Sequence, residues 1–336
     1  MRKYLRLRDR AKQIALALCL FALGAPSAIA QTTEEPPAPD PAAIIAPNHK
    51  PGFYVFATGE GIWFSTDLVE WAYSGQVFSQ LPQWARSFVP GATSYWAPDI
   101  TLYRGLYYLY YAVSTFGSQR SAIGLAVNQT IDPSDPTYNW QDRGMVIEST
   151  SIPFGPNFNA IDPHLVIDKD RQWFLFFGSY WSGIKFIRLD PRNGKPFRDS
   201  RIEPVAKRAP EVSPDAIEGA YVFRHRDFYY LFVSWDMCCA GLASTYKVAV
   251  GRSRSVAGPY VDRKGVKMLD GGGAIILKSN SRWIGPGGNS VLHTSGEDYI
   301  FYHAYDAENL SLGEVLRVSP ISWSSDWWPV VGPPLQ

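Results

Sequence analysis

Apolar and polar positions along this chain alternate in short runs, and five of those runs share one make-up. They are Phe53-Tyr54-Val55-Phe56, Tyr107-Tyr108-Leu109-Tyr110-Tyr111, Trp173-Phe174-Leu175-Phe176-Phe177, Tyr229-Tyr230-Leu231-Phe232 and Tyr299-Ile300-Phe301-Tyr302. Aromatic and β-branched runs of this length, bounded by Gly, Pro, Asn and Asp, read as strands. Each is preceded by a second strand-like segment that opens on a small turn. These segments are Asp40-Pro41-Ala42-Ala43-Ile44-Ile45, Ala97-Pro98-Asp99-Ile100, Asp162-Pro163-His164-Leu165-Val166, Glu218-Gly219-Ala220-Tyr221-Val222 and Gly288-Asn289-Ser290-Val291. The unit recurs every ~55–70 residues, the length of a four-stranded sheet with its turns. No segment sustains a helical period for more than a couple of turns. The repeat predicts an all-β fold, a five-bladed β-propeller with a central substrate cleft. If each unit opens with the strand nearest the axis, four of the five blades aim an acid at one central pocket. The aromatic segment Trp323 to Val331 is expected to pair with the first blade and close the ring, since free sheet edges need covering.

The 336 residues are 46% hydrophobic and 15% aromatic, enough for a large core, and the regular repeat argues for one domain over 40–336. The first 30 residues read differently. Arg2, Lys3, Arg6, Arg8, Arg10 and Lys12 precede a short apolar run from Ile14 to Leu23, and Ala28-Ile29-Ala30 has the form of a signal-peptidase site. This predicts a signal peptide over 1–30 and a secreted protein, periplasmic or extracellular; the competing reading is an uncleaved anchor helix. Residues 31–39, rich in Thr, Glu, Pro and Ala, are expected to be a disordered leader. Six of the 32 Lys and Arg and one of the 31 Asp and Glu lie in the first 30 residues, leaving 26 basic against 30 acidic groups. That mildly acidic balance, with no basic tract, argues against nucleic acid and, after signal cleavage, against a membrane. Cys238 and Cys239 are the only cysteines beyond Cys19. Adjacent in sequence, they form either a vicinal disulfide or two half-buried thiols.

A propeller scaffold carries no function by itself, so function has to be argued from the acids. Asp40, Asp162 and Glu218 open blades one, three and four. Hydrolysis of a glycosidic bond needs two carboxyl groups flanking it, one protonated and one ionised, and a third can raise the acid's pKa by like-charge repulsion. Trp96, Phe116, Tyr180 and Trp181 fall in turns between strands, where flat rings could face sugar C–H surfaces. A single Asp-Pro is ordinarily just a turn; recurrence in step with the blades is what gives these acids their meaning.

Several longer motifs then carry a family resemblance. Asp40-Pro41, Trp96-Ala97-Pro98-Asp99, Ser114-Thr115-Phe116-Gly117-Ser118, Asn159-Ala160-Ile161-Asp162-Pro163, Gly178-Ser179-Tyr180-Trp181-Ser182-Gly183, Ile217-Glu218-Gly219-Ala220 and Ser234-Trp235-Asp236-Met237-Cys238-Cys239 resemble glycoside hydrolase family 43, most closely its endo-1,5-α-L-arabinanases. The resemblance covers residues 40–325. It implies a five-bladed propeller and inversion at the anomeric carbon, with the two carboxyl groups roughly 6.5–9.5 Å apart. By position it implies Asp40 as general base, Glu218 as general acid, and Asp162 as the group that tunes and orients Glu218. Trp96 and Phe116 would be sugar platforms, Asp99 would belong to the substrate wall, and Asn159, Ala160, Ile161, Ser179, Tyr180 and Trp181 would line the central subsites.

Two positions depart from the family pattern. Pro39 stands where many relatives have a His, and Gly288 stands where many have a His that holds a metal near the axis, commonly calcium. The metal ligands are therefore unknown from sequence. A structural calcium at the axis is allowed but not required, no cofactor is needed for the reaction, and His164 and His303 are the imidazoles nearest to blade starts. The leading expectation is a monomeric, secreted hydrolase acting inside arabinan, the polysaccharide of pectin side chains. The alternatives are an exo-acting α-L-arabinofuranosidase or β-xylosidase, and a sugar-binding propeller without catalysis. The chain ends at Gln336, soon after the last blade, which favours an open groove over a closed pocket.

Overall fold

The computed structural model describes residues 35–47, 50–149 and 157–335. The predicted signal peptide, and His49, lie outside the described residues. Five antiparallel sheets follow one another along the chain. Blade one holds β1 (Ala42–Ala46), β2 (Gly52–Phe56), β3 (Gly61–Ser65) and β4 (Ala72–Gln76). Helix α1 (Gln83–Phe88) leads to blade two, with β5 (Trp96–Tyr103), β6 (Leu106–Val113), β7 (Ser121–Asn128) and β8 (Gln141–Ser149). Blade three has β9 (His164–Ile167), β10 (Trp173–Phe177), β11 (Ile184–Asp190), β12 (Lys195–Pro196) and β13 (Glu203–Ala206), the last two both pairing with β11. Blade four is β14 (Ile217–His225), β15 (Phe228–Trp235), β16 (Lys247–Ser253) and β17 (Ala274–Lys278). Blade five is β18 (Trp283–Thr294), β19 (Glu297–Asp306), β20 (Glu314–Trp323) and β21 (Pro329–Val331). The opening strands meet in the order β1, β5, β9, β14, β18 and back to β1, which makes this a closed five-bladed β-propeller with the first strand of each blade innermost.

All five predicted aromatic runs are second strands. They are apolar at nearly every position because both of their faces are buried. A strand sends alternate side chains to opposite faces, and here each face meets a neighbouring blade. Tyr54 and Phe56 pack with Leu109 and Tyr111 between blades one and two. Tyr110 turns the other way and packs with Trp173, Leu175 and Phe177. Phe174 and Phe176 meet Tyr229 and Leu231, Tyr230 and Phe232 meet Ile300 and Tyr302, and Phe301 returns to Val55. The result is one apolar cluster per blade interface.

Ring closure departs from expectation. β21 pairs with β20 inside blade five and makes no pairing with blade one. The N-terminal segment closes the ring instead: Pro37 bridges Val315, Ala38 N–H donates to Glu314 O at 3.1 Å, and Leu316 N–H donates to Pro36 O at 2.9 Å. The expected disordered leader is therefore ordered over 35–39, because β20 presents an unpaired edge there that backbone groups can satisfy. Glu35 reaches Arg317, whose side chain is fully buried and whose guanidinium lies 2.6 Å from Glu35 Oε2 and 3.6 Å from the Trp283 ring centre. Removing one partner of a buried ion pair leaves the other charge poorly compensated. Glu35→Ala is thus expected to lower stability by about 2 kcal/mol, seen as a lower urea midpoint with an unchanged m-value.

Candidate active site

The five innermost strands share a backbone device. Asp40, Ala97, Asp162, Gly219 and Gly288 occupy one equivalent position, and all are left-handed, with φ of 51°, 38°, 55°, 60° and 58°. In β5, β14 and β18 the pairing register jumps at this point, between Trp96 and Asp99, Glu218 and Tyr221, and Gly287 and Ser290. Such bulges re-aim a side chain at the end of a strand. A left-handed conformation costs a non-glycine residue about 1–2 kcal/mol, so Asp40 and Asp162 hold it against intrinsic preference. The shared position also refines the reading of the acids. Asp40 and Asp162 are true equivalents, and Glu218 stands one residue earlier in its blade. Asp99 stands two residues later, with Ala97 in the place of the acid.

Together these strands line a small central cavity of about 40 Å³, bounded by Asp40, Asp162, Gly219, Gly288 and Asn289 among others. Asp40 Oδ2 accepts from Thr58 Oγ1 at 2.7 Å. Its backbone N–H donates to His303 Nδ1 at 3.0 Å, and Oδ1 lies 3.6 Å from the same nitrogen. Glu218 accepts from Ser179 Oγ at 2.6 Å and from Tyr246 OH at 2.9 Å. Asp162 Oδ2 accepts from Gly219 N–H at 2.9 Å, so it grips the backbone directly beside Glu218. The Tyr246 ring lies nearly parallel to that of His303, at 5.7 Å, which links the surroundings of Glu218 to those of Asp40.

Burial dominates the electrostatics. It pushes the Asp40 carboxyl upward, with His303 and the Thr58 hydrogen bond opposing and Glu314 adding repulsion. Asp162 is lifted well above the ordinary range, first by burial and then by the charges of Glu218 and Asp40. Glu218 is also raised by burial, while the bonds from Ser179 and Tyr246 pull the other way. Two like charges this close do not both ionise readily, so Asp162 and Glu218 titrate as a pair holding a proton above the usual carboxylate range. A proton held beside an ionisable carboxylate, in a cleft able to admit water, is equipment for acid–base hydrolysis.

The other predicted residues fall into three groups. Phe116, at 84% exposure, and Trp181, at 38%, stand open on loops at the cleft end of blades two and three. Trp96 and Tyr180 are half-buried beside them. Ser179 bonds Glu218 as described. Asn159 and Asp99 are held inside the protein. Asn159 Oδ1 accepts from Ser121 Oγ; Asp99 bonds His164 Nδ1 at 2.9 Å and accepts from Leu165 N–H at 2.8 Å. Ala160 is fully buried in the core between blades two and three, and the Ile161 side chain is buried too. The Ala160 side chain thus packs into that blade interface. Thr58, Tyr246 and Glu314 were not singled out for the site from sequence, and His303 was considered only as an imidazole near a metal. Thr58, Tyr246 and His303 come from the far end of a second strand or from the loop beyond it, and Glu314 opens the third strand β20, with no local motif to mark them.

The resemblance implies a metal held by a His at position 288, where Gly288 offers no side-chain ligand. A Cβ on Gly288 would stand 2.5 Å from Asp40 Oδ1 and 2.7 Å from His303 Cε1, so carboxylate and imidazole already fill that space. His303 Nδ1 is taken by the Asp40 N–H, while its buried Nε2 has no hydrogen-bond partner among the described residues; both His164 nitrogens are taken, by Asp99 and by Val222 O. Among the described residues the only group of three with ligand spacing is Cys238, Cys239 and Glu314. The two cysteines there are joined to each other. The open question of the cysteine pair is thus answered in favour of the disulfide.

Comparison with known proteins gives consistent similarities in sequence and fold. The model of the family described as glycosyl hydrolases family 43 matches residues 37–329. An extracellular exo-α-(1→5)-L-arabinofuranosidase of Cellvibrio japonicus is 41% identical over 289 residues, covering 83% of this chain and 82% of that protein. An extracellular endo-α-(1→5)-L-arabinanase of Bacillus subtilis is 42% identical over 264 residues, covering 78% and 77%. The solved structure of a Cellvibrio cellulosa α-L-arabinanase complexed with arabinohexaose superposes with a TM-score of 0.82 at 38% identity, covering 89% of this chain and 96% of that one.

Because burial raises Asp162, the folded protein keeps a proton that the unfolded chain releases. Its stability therefore falls as pH rises from the ordinary value of 3.8 through the raised native one. Asp162→Asn removes that penalty and keeps an oxygen for the Gly219 N–H. The variant should melt about 2–4 °C higher at pH 7 and show no such gain at pH 3, as thermal melts at the two pH values would show.

Proposed function

The chain belongs to glycosyl hydrolase family 43, and we propose that it is a secreted endo-hydrolase that cuts α-1,5-arabinofuranosidic bonds inside arabinan with inversion. Family membership makes it a glycoside hydrolase with arabinanase homologues. The observation that carries the finer reading is the pairing of three half-buried acids at the axis with apolar side chains left exposed on several blades around them. Phe116, Trp181, Met237, Leu242 and Leu310 all sit on connections between second and third strands, the loops at the cleft end. A polymer lying across the axis could use such a rim on both sides of the scissile bond. Secretion is supported by the extracellular relatives and by the leader sequence.

In this reading Asp40 takes the proton of the attacking water. Its position suits the role, since Thr58 and the backbone contact with His303 fix the carboxylate while leaving it at the cavity wall. Glu218, held by Ser179 and Tyr246, delivers its proton to the departing sugar oxygen. Asp162 keeps the pair's proton in place and, through Gly219, sets the angle of Glu218. Trp96, Phe116, Tyr180 and Trp181 face the sugar rings. The chemistry uses no cofactor, and the monomer holds the whole site. An exo-acting mode is the second reading, favoured by the 41% identity to an exo-arabinofuranosidase.

Incubation with linear arabinan separates the two modes. An early fall in viscosity with mixed oligomers is the expected result; slow release of arabinose alone would reassign the enzyme to the exo class. Glu218→Ala should lose at least ~100-fold in rate on polymer and recover part of it on substrates with a good leaving group, whereas Asp40→Ala should show no such recovery. Equal recovery in both would overturn the assignment of base and acid. Activity should survive EDTA treatment, and loss that is restored by calcium would place an oxygen-held ion at the axis.

A further inference from the structure

The loop between β15 and β16 contains an exposed apolar surface held unusually firmly beside the site. Residue 236 anchors it at one end: Asp236 N–H donates to Ala216 O at 3.0 Å, and its carboxylate lies 2.8 Å from Arg208 Nη2 and 2.5 Å from Lys247 Nζ. Thr245 ties the other end, its N–H donating to Met237 O at 2.9 Å while Met237 N–H donates to its hydroxyl at 3.2 Å. Between the anchors, Asp236 and Cys239 adopt φ of 69° and 62°, conformations that persist only where the surroundings impose them. Cys238 and Cys239 are bonded to each other, Cys239 is exposed, and Met237 is 51% exposed.

Three successive contacts connect this surface to the general base. Both sulfur atoms lie within 4.8 Å of a Glu314 carboxylate oxygen. Glu314 Oε1 lies 3.8 Å from His303 Nε2, and His303 Nδ1 lies 3.6 Å from Asp40 Oδ1. The same loop leads straight into Tyr246, which bonds Glu218. The surface therefore borders both acids of the proposed pair. Glu314 Oε1 accepts from Tyr305 OH at 3.0 Å, and its second oxygen has no hydrogen bond within the described protein.

We infer that the Cys238–Cys239 disulfide, with Met237 and Glu314, forms a sugar-binding subsite in the wall between blades four and five, beyond the two sugars that flank the scissile bond. The inference rests on the arabinan reading of the same cleft. Sulfur is polarisable and apolar, so an exposed disulfide and a thioether can pack against the C–H face of a furanose ring. The free oxygen of Glu314 accepts one of its hydroxyls in a charge-assisted hydrogen bond. A loop already fixed in its bound shape loses little freedom on binding. An oxidising compartment keeps the disulfide closed.

The test uses binding by calorimetry in the Glu218→Gln background, where substrate is not consumed. The Cys238→Ser/Cys239→Ser pair should weaken arabinohexaose about tenfold while changing arabinobiose, too short to reach the wall, less than about twofold. Met237→Ala, which leaves the disulfide intact, should weaken arabinohexaose in the same direction by a smaller factor. Equal weakening of both sugars, or none, would overturn the subsite and leave the arabinan reading standing. No binding of either sugar to the Glu218→Gln protein itself would overturn both.

Discussion

Two-sided burial of the second strand in each blade is the constraint on which the molecule depends. A strand covered on one face can alternate apolar and polar residues, but one wedged between two neighbours must be apolar throughout. Trp173 to Phe177 and Tyr229 to Val233 meet that demand with large rings and branched chains, and each side chain is committed to one interface or the other by its parity. No blade could bury both faces alone. Each needs two neighbours, so the sheets close into a ring, and the segment from Pro36 to Ala38 completes the last blade's edge.

Closure brings the opening strands to the axis, and their common left-handed residue sets what they present there. Where the residue is glycine, at 219 and 288, the turn is tolerated easily and other groups approach closely. Where it is aspartate, at 40 and 162, backbone strain and burial of a carboxylate fall on the same residue. Nothing in folding favours that combination. It is the kind of local conflict expected where stability has been given up for chemistry. The Gly288 position shows the link most directly: the space that a side chain there would need is filled by Asp40 and His303.

The surrounding loops then shape the entrance to the axis. Connections between second and third strands carry apolar side chains that are exposed in the folded protein: Phe116, Trp181, Met237 and Leu310. Scattered exposed apolar residues are ordinary on protein surfaces. Here they stand on the cleft-end loops of four blades and form a rim around one cavity.

The repeat, the strand class, the number of blades and the three acids could be read from residue order alone, because two-sided burial writes itself locally as an aromatic run and a turn before it. Asp40, Asp162 and Glu218 were legible because they are tied to that turn. What the order could not show is anything that depends on which blades become neighbours. Tyr246 and His303 lie far along the chain from the acids they touch, and only closure of the ring places them there. Asp99 lines the axial cavity, but only the fold shows that its carboxylate is bound to His164 and the Leu165 N–H. Ala160 carried a family motif, but its side chain belongs to an interface that exists only once blades two and three pack. Even the edge that closes the propeller was settled in three dimensions, by an unpaired stretch of β20 that the N-terminal segment could satisfy and the C-terminal strand, already paired further along, could not.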